Sequence, residues 1–432
     1  MNVVYIIFAI ILLILILDFK KGVILYAPLK LFFNINVRFG SFTFDFLMSL
    51  IILLLFIIDR KSYSEPKFPL KTAFVIYAIG YTATCLYPEF APNFIPRIVL
   101  MVLAYSYIYY FCLDKFENIK FAITCYAVFA IVMCGNGLLT PLFGINPLDD
   151  YLQSISDKNN SMFIENYWVR MGQVRYRSFI PHAISYGVAC CVIFYLLIWS
   201  LLQIRKHRLF LVSTAIVFLL SGIIICGSRT PILGLIPILY LLFAHKGITS
   251  KMKIALLFLG FIFLLFSGDY ILYSINSLID SKLAAEVGGS STNTRLNQFA
   301  IAYKLLISQP FWGMGMNFDA YSYDSGILGA ESVWFPLMMN NGLIGILSYA
   351  IIYFCIFRIS FKSPGRSVLL VISTGWLIMR TATSLIGVTD VQFFTIYFCI
   401  YRYFELKKYK VLSKIINKDE GRTFALNYSA RI

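Results

Sequence analysis

Apolar runs of membrane-spanning length follow one another along almost the whole chain, and they leave room for few folds. About 17–25 apolar residues bounded by charge or proline are enough to cross a bilayer as a helix. Such runs fall near residues 3–17, 42–58, 71–87, 95–113, 121–141, 181–202, 209–226, 231–244, 254–267, 333–357, 367–386 and 390–404. In lipid each backbone N–H and C=O has to be satisfied internally, which a helix does within its own segment. The first and eighth runs are short for a span. Charged residues make up 13% of the 432 positions, against about 25% in a soluble domain. The pattern predicts an all-α, polytopic integral membrane protein of about twelve transmembrane helices, with a single membrane domain over 1–432.

The first run reads as a retained signal-anchor helix. Only Met1 and Asn2 precede it, and Asp18-Phe19-Lys20-Lys21 follows where a cleaved signal has small residues. Lysine and arginine then set the orientation. With the N-terminus inside, the inner breaks hold Arg60, Lys61, Lys67 and Lys71, Lys115 and Lys120, Arg205, Lys206 and Arg208, Lys246, Lys251 and Lys253, and Arg358, Lys362 and Arg366. They outweigh the outer breaks, and the 405–432 tail adds more basic residues. Both termini are therefore predicted cytoplasmic. The net charge of +16 is explained by anionic lipid headgroups beside these segments. No basic stripe interleaved with stacking aromatics occurs on a soluble domain, which sets nucleic acid aside. All nine cysteines fall within predicted runs, so no disulfide scaffold is implied.

Two outward segments interrupt the apolar pattern. The first spans 142–180 and contains Asn146-Pro147-Leu148-Asp149-Asp150-Tyr151 and Arg170 through Arg177. The second is the large loop at 268–332. Within it, Leu296, Phe299, Ala300, Tyr303, Leu306 and Ile307 recur at helical spacing, which predicts an amphipathic helix over 293–308 near the outer membrane surface. Pro310 ends that helix, and Gly313 and Gly315 make the following turn. A many-helix membrane protein with one large polar excursion is suited to work on something outside the bilayer. No internal repeat is visible, which disfavours the repeat-built transporter folds.

Arginine is the recurrent outward group: Arg170, Arg175 and Arg177 ahead of the sixth run, Arg229 in Cys226-Gly227-Ser228-Arg229-Thr230-Pro231, and Arg295 opening the loop helix. Guanidinium stays charged and presents a planar fork suited to phosphate. An interfacial anchor is the competing reading for Arg170 and Arg177. For Arg229 the balance favours function, because a tight turn needs glycine or proline and not a charge. Arg380, inside the eleventh run, reads as a partner for Asp390. Glu331 begins the return into apolar sequence, where desolvation would raise its pKa and suit it to act as a general base. Its competing reading is a helix N-terminal acid. Asp149 and Asp150 read as turn and cap residues. Trp312 and Trp334, with Tyr151, Tyr167, Trp168 and Tyr176, fit an interfacial aromatic belt or faces on which sugars stack. Three histidines, two of them in inner breaks, indicate no metal site, and no cofactor is called for.

The order of these motifs resembles the O-antigen polymerase (Wzy) family within the O-antigen ligase/polymerase superfamily. Four stretches carry the likeness: Arg175-Tyr176-Arg177-Ser178-Phe179-Ile180-Pro181; Gly227-Ser228-Arg229-Thr230-Pro231-Ile232-Leu233-Gly234; Thr294-Arg295-Leu296 through Pro310-Phe311-Trp312-Gly313-Met314-Gly315; and Glu331-Ser332-Val333-Trp334 with Asn341-Gly342-Leu343-Ile344-Gly345. The resemblance implies a glycosyltransferase in the bacterial inner membrane that joins undecaprenyl-pyrophosphate-linked oligosaccharides for O-antigen or capsule. It casts Arg177 and Arg229 as the arginines that hold pyrophosphate, and a chain-length regulator as a partner. Ligases of the superfamily have a histidine where this chain has Glu331, which favours polymerase. An O-antigen ligase and a lipid-linked oligosaccharide flippase or transporter remain the alternatives.

Overall fold

Helices account for most of the described residues in the computed structural model, which describes residues 3–33, 37–39, 42–58, 67–155, 169–170, 173–204, 208–244, 276, 292–324, 327, 332–383 and 388–429. In chain order these are α1 (Val3–Leu17), α2 (Phe19–Leu29), α3 (Phe44–Ile58) and α4 (Lys71–Leu86). Then come α5 (Pro92–Cys112) and α6 (Phe116–Phe143), followed by α7 (Pro147–Ile155), α8 (Ala183–Gln203), α9 (Leu209–Ile225) and α10 (Arg229–Ala244). The last five are α11 (Thr292–Ser308), α12 (Ala320–Tyr323), α13 (Trp334–Lys362), α14 (Arg366–Thr381) and α15 (Val388–Ser429). Two short antiparallel hairpins are the described strands. In one, β1 (Arg38–Phe39) pairs with β2 (Phe42–Thr43); in the other, β3 (Val169–Arg170) pairs with β4 (Gln173–Val174).

Every predicted run except one coincides with a helix, and the exception, 254–267, lies outside the described residues. Four helices, α5, α6, α8 and α13, are long and apolar enough to cross a membrane, while α1, α3, α9 and the first part of α10 are shorter apolar helices. Helix α8 forms the axis of the bundle. Its sequence is apolar on every face, as a fully enclosed helix requires, and it packs against α6, α9, α10, α14 and α15. Tyr186 through Ser200 of α8 are buried throughout.

The structure adds a helix where the sequence reading has an outer break. Asp18 ends α1 and accepts the Lys21 N–H at 3.1 Å, capping α2. Helix α2 folds back on α1 so closely that a Cβ on Gly22 would lie 2.7 Å from the Leu15 side chain. Its far end is fixed by a buried cluster. The Lys30 ammonium bonds the Asp45 carboxylate and reaches the Ser49 hydroxyl at 3.0 Å, and the Tyr26 hydroxyl donates to Asp45 at 2.7 Å. The Tyr105 ring faces Lys30 at 4.4 Å. Burying an ion pair costs several kcal/mol per charge unless further hydrogen bonds compensate it, and here Tyr26 and Ser49 supply them.

The fold of α2 onto α1 bears on where the N-terminus lies. At one end of the bundle, Lys20 pairs with Asp114 at 2.6 Å, Tyr110 donates to Glu405 at 3.1 Å, and Arg402 reaches the Leu113 carbonyl at 3.4 Å. At the other end, the Val4 N–H donates to the hydroxyl of Tyr151, within the 142–180 segment, at 3.0 Å. Val4 and Glu405 therefore lie at opposite ends of the bundle, whereas the sequence reading places both termini on one face of the membrane. The eleven residues of α2 are too few to register as a membrane run, and Lys20 and Lys21 disguise its start. Lys20 and Lys21 lie at the end of the bundle that bears the basic tail. A cysteine introduced as Asn2→Cys should react with a membrane-impermeant maleimide from the outside of intact spheroplasts. A cysteine in the C-terminal tail should react only after lysis. Labelling of both only after lysis would overturn this topology.

Candidate functional site

The Arg175–Ser178 segment is held by a polar network rooted in the middle of a membrane helix. Asn136 of α6 donates to Asn146 at 2.5 Å and to the Ser178 hydroxyl at 3.0 Å, and accepts from the Leu148 N–H at 3.2 Å. Asn146 donates to the Ser178 carbonyl at 2.9 Å, and the Ser178 hydroxyl donates to the Met133 carbonyl at 2.7 Å. These bonds hold Ser178 at φ +54°, a left-handed conformation that disfavours most side chains. The turn aims the two preceding arginines in different directions. Arg175 is buried, with Nε donating to the Cys226 carbonyl at 3.3 Å. Arg177 donates through Nη2 to Asp149 at 2.7 Å and through Nη1 to the carbonyls of Ile180 and Pro181 at 3.4 and 3.3 Å.

Asp149 is thus more than a turn residue. Burial pushes its carboxyl above the usual range, and the Arg177 guanidinium opposes that shift. Arg170 lies in the β3–β4 hairpin, with Gln173 opposite it; its side chain is outside the described residues.

The Arg229 turn joins this segment on one side and α14 on the other. The Tyr176 N–H donates to the Ile225 carbonyl at 3.1 Å, and Gly227 takes φ +56°, ending α9. Arg229 begins α10 and is half-buried. The Thr230 hydroxyl donates to the Ala382 carbonyl at 3.3 Å, and the Val333 N–H donates to the Arg380 carbonyl at 3.1 Å. One hydrogen-bonded rim therefore runs from Arg175 through the Arg229 turn and the end of α14 to Trp334. Beyond it opens a cleft of about 410 Å³ lined by Arg295, Phe299, Ser332, Trp334, Phe335, Met338 and Thr381. Trp334 forms one aromatic wall, with Phe299 and Phe335 beside the same space, and its ring lies 5.9 Å from Tyr349 and 6.3 Å from Tyr353.

Trp312 does not join the cleft; its ring packs edge-on against Tyr87 at 5.4 Å. Glu331, immediately before Ser332, lies outside the described residues, as do Tyr167 and Trp168. The expected loop helix is present as α11. Its Gln298, Ala302 and Leu305 are buried, Ala302 and Leu305 pack beside Met338 and Met339, and Leu296, Phe299, Tyr303 and Ile307 are exposed.

The glycine-rich turn after α11 docks directly into α13. Residues Leu337–Asn341 form a π-helical turn, a local widening that recurs at functional sites. The Met314 and Gly315 N–H groups donate to the Met339 and Asn340 carbonyls at 2.7 and 3.2 Å, and the Leu343 and Ile344 N–H groups donate back to Pro310 and Phe311 at 2.8 and 3.1 Å. Gly313 and Gly342 have φ of +72° and +58°. A Cβ on Gly313 would lie 2.6 Å from the Asn340 carbonyl carbon, and one on Gly342 would lie 2.6 Å from the Gly313 nitrogen. The two motifs are thus halves of one backbone contact.

A family model described as O-antigen ligase matches residues 214–350. The matched segment runs from α9 to the middle of α13. It contains Arg229, Arg295, Trp312, Glu331 and Trp334, and it leaves out Arg170, Arg175, Arg177 and Arg380. It supports the O-antigen ligase/polymerase superfamily and a glycosyl-transferring role in O-antigen processing, with lipid-linked glycans as the substrate class and the membrane as the setting. None of the curated proteins matches the chain.

Sequence reasoning missed Asn136 and Ser178 as supports, because a single asparagine in an apolar run gives no period or motif. The available signal was its cost: an amide in a membrane helix is retained only where it is satisfied. Among the described residues, no group of three or more His, Cys, Asp or Glu side chains could hold a metal ion.

The backbone contact between the two motifs makes a graded prediction. Gly144 also has positive φ, at +72°, but nothing lies within 4 Å of a Cβ placed there. Gly144→Ala should cost only the conformational penalty of about 1 kcal/mol. Gly313→Ala and Gly342→Ala should cost more and lower the melting temperature of the purified protein further. Equal melting temperatures for the three variants would contradict the close approach.

Proposed function

We propose that the protein is a polymerase that joins undecaprenyl-pyrophosphate-linked oligosaccharide repeat units at the outer face of the inner membrane. The observation that carries this reading is the continuous rim. It gathers a fixed cationic turn at Arg229, the Arg175–Arg177 segment and an aromatic cleft with Arg295 on hydrogen-bonded neighbours. The growing chain on its lipid pyrophosphate is the donor, and a hydroxyl of the next repeat unit is the acceptor. The acceptor oxygen attacks the anomeric carbon, the bond from that carbon to the phosphate oxygen breaks, and the hydroxyl proton passes to a base. The leaving group departs as lipid pyrophosphate.

Arg229 is the proposed ligand of that pyrophosphate. Its guanidinium fork matches phosphate oxygens, and charge stabilisation of a leaving group is worth several kcal/mol in a water-poor site. Arg177, engaged with Asp149, is better suited to hold the 175–178 segment than to grip phosphate itself. Glu331 is the proposed base, adjacent to the cleft residue Ser332. Trp334 offers a face for a sugar ring, and Arg295 a donor at its edge. Transfer of the finished chain to a different acceptor, as a ligase, is the second reading, favoured by the family description that the 214–350 segment matches.

Removing the gene separates the readings. Loss of the polymer ladder, with single repeat units still on the surface, is the expected result for a polymerase. Loss of all surface glycan, with lipid-linked polymer displayed at the outer face, would make it a ligase. Repeat units trapped at the inner face would make it a flippase. In the complemented strain, Arg229→Lys keeps the charge and loses the fork, so the ladder should fall by roughly 10–100-fold at unchanged protein level. Glu331→Gln should abolish elongation. A normal ladder from both variants would remove the assignment of these two residues.

A further inference from the structure

The buried pair Arg380–Asp390 has no part in the chemistry just described, yet it lies directly behind the cleft. Arg380 is 0% exposed, and its Nη2 reaches Asp390 at 3.5 Å. Its Nε and Nη1 have no hydrogen-bond partner among the described residues. The Tyr349 hydroxyl donates to the other oxygen of Asp390 at 3.3 Å and lies 3.1 Å from the Tyr353 hydroxyl. These two tyrosines are the rings against which Trp334 packs. On the main chain, Arg380 accepts the Val333 N–H, and Ala382 accepts the Thr230 hydroxyl. Thr381, between them, lines the cleft. The Arg229 turn and the Trp334 wall thus meet at this one helix end.

A buried charge in an apolar interior, with two donors unfilled among the described residues, is an expensive way to fill space. Well-packed apolar residues of similar volume serve folding as well or better. We infer that Arg380, paired with Asp390, is a positioning residue of the glycosyl-transfer site, fixing the Trp334 wall and the Arg229 turn in register. The inference rests on the proposed function and deepens it. Arg380 acts through Tyr349, Tyr353 and the end of α14, without touching the substrate.

The test compares two variants that keep the interior compensated. Arg380→Met with Asp390→Leu replaces the pair by apolar side chains. Arg380→Lys keeps the charge opposite Asp390 and loses the planar fork. Each is expressed in the deletion strain, with membrane abundance and the melting temperature of the detergent-purified protein measured beside the polymer ladder. Both should reach wild-type abundance and melting temperature. The ladder should fall roughly 100-fold in the double variant, as small misplacement at a reacting centre does, and to an intermediate level in Arg380→Lys. A wild-type ladder from either stable variant overturns the inference, because a merely structural pair is replaceable. If the double variant does not accumulate, Arg380→Lys decides alone by the same criterion. A deletion strain with unaltered glycan would instead sink the functional reading, an outcome distinct from these.

Discussion

The last turn of α14 holds the cleft end of the bundle together. A helix C-terminus leaves its final carbonyls without partners inside the helix, and in an apolar setting each orphan costs several kcal/mol. Here the carbonyls of Arg380 and Ala382 are filled from two other elements, by the Val333 N–H and the Thr230 hydroxyl. Satisfying the helix end therefore also locks the start of α13 to the start of α10. The cleft, its Trp334 wall and the Arg229 turn inherit their relative positions from these two bonds.

The same economy governs the rest of the interior. Polar side chains inside the bundle are used where one element has to be keyed to another. Gln392 of α15 donates to the Ala27 carbonyl of α2 at 2.8 Å and accepts from Tyr126 of α6 at 2.8 Å. Lys30, Asp45, Tyr26 and Ser49 key α2 to α3, and Asn136 keys α6 to the 142–180 segment. In lipid, apolar helices have no hydrophobic drive to choose among neighbours, so close packing and hydrogen bonds set the arrangement. These few contacts tie α2, α3, α6, α15 and the 142–180 segment into one arrangement.

Helix positions were legible in the sequence because length and hydropathy alone define a membrane helix. The α11 helix was legible from its period and the turn after it from its glycines. Helix α2 was not, because eleven residues with two lysines and Pro28 inside look like a loop until Asp45 is known to receive Lys30. That one helix carries the chain back along α1, so Val4 and Lys20 sit at opposite ends of the bundle. At the site, the arginines and Trp334 stood out by residue type, since charge and large aromatics are conspicuous in an apolar chain. Their division of labour did not, because it depends on contacts distant in sequence: Asp149 with Arg177, Cys226 with Arg175, Tyr87 with Trp312. The pairing of Arg380 with Asp390 was readable from spacing, but not its adjacency to Trp334.

The central claim is that the outer end of this bundle transfers a glycan from a lipid pyrophosphate and does not move that lipid across the membrane. The most direct measurement uses the purified protein in liposomes supplied with lipid-linked repeat units radiolabelled in the sugar. Chain length and free lipid pyrophosphate are quantified together. Longer glycans appearing with one lipid pyrophosphate released per new linkage is the predicted result. Repeat units crossing the bilayer with no lipid pyrophosphate released would contradict the account.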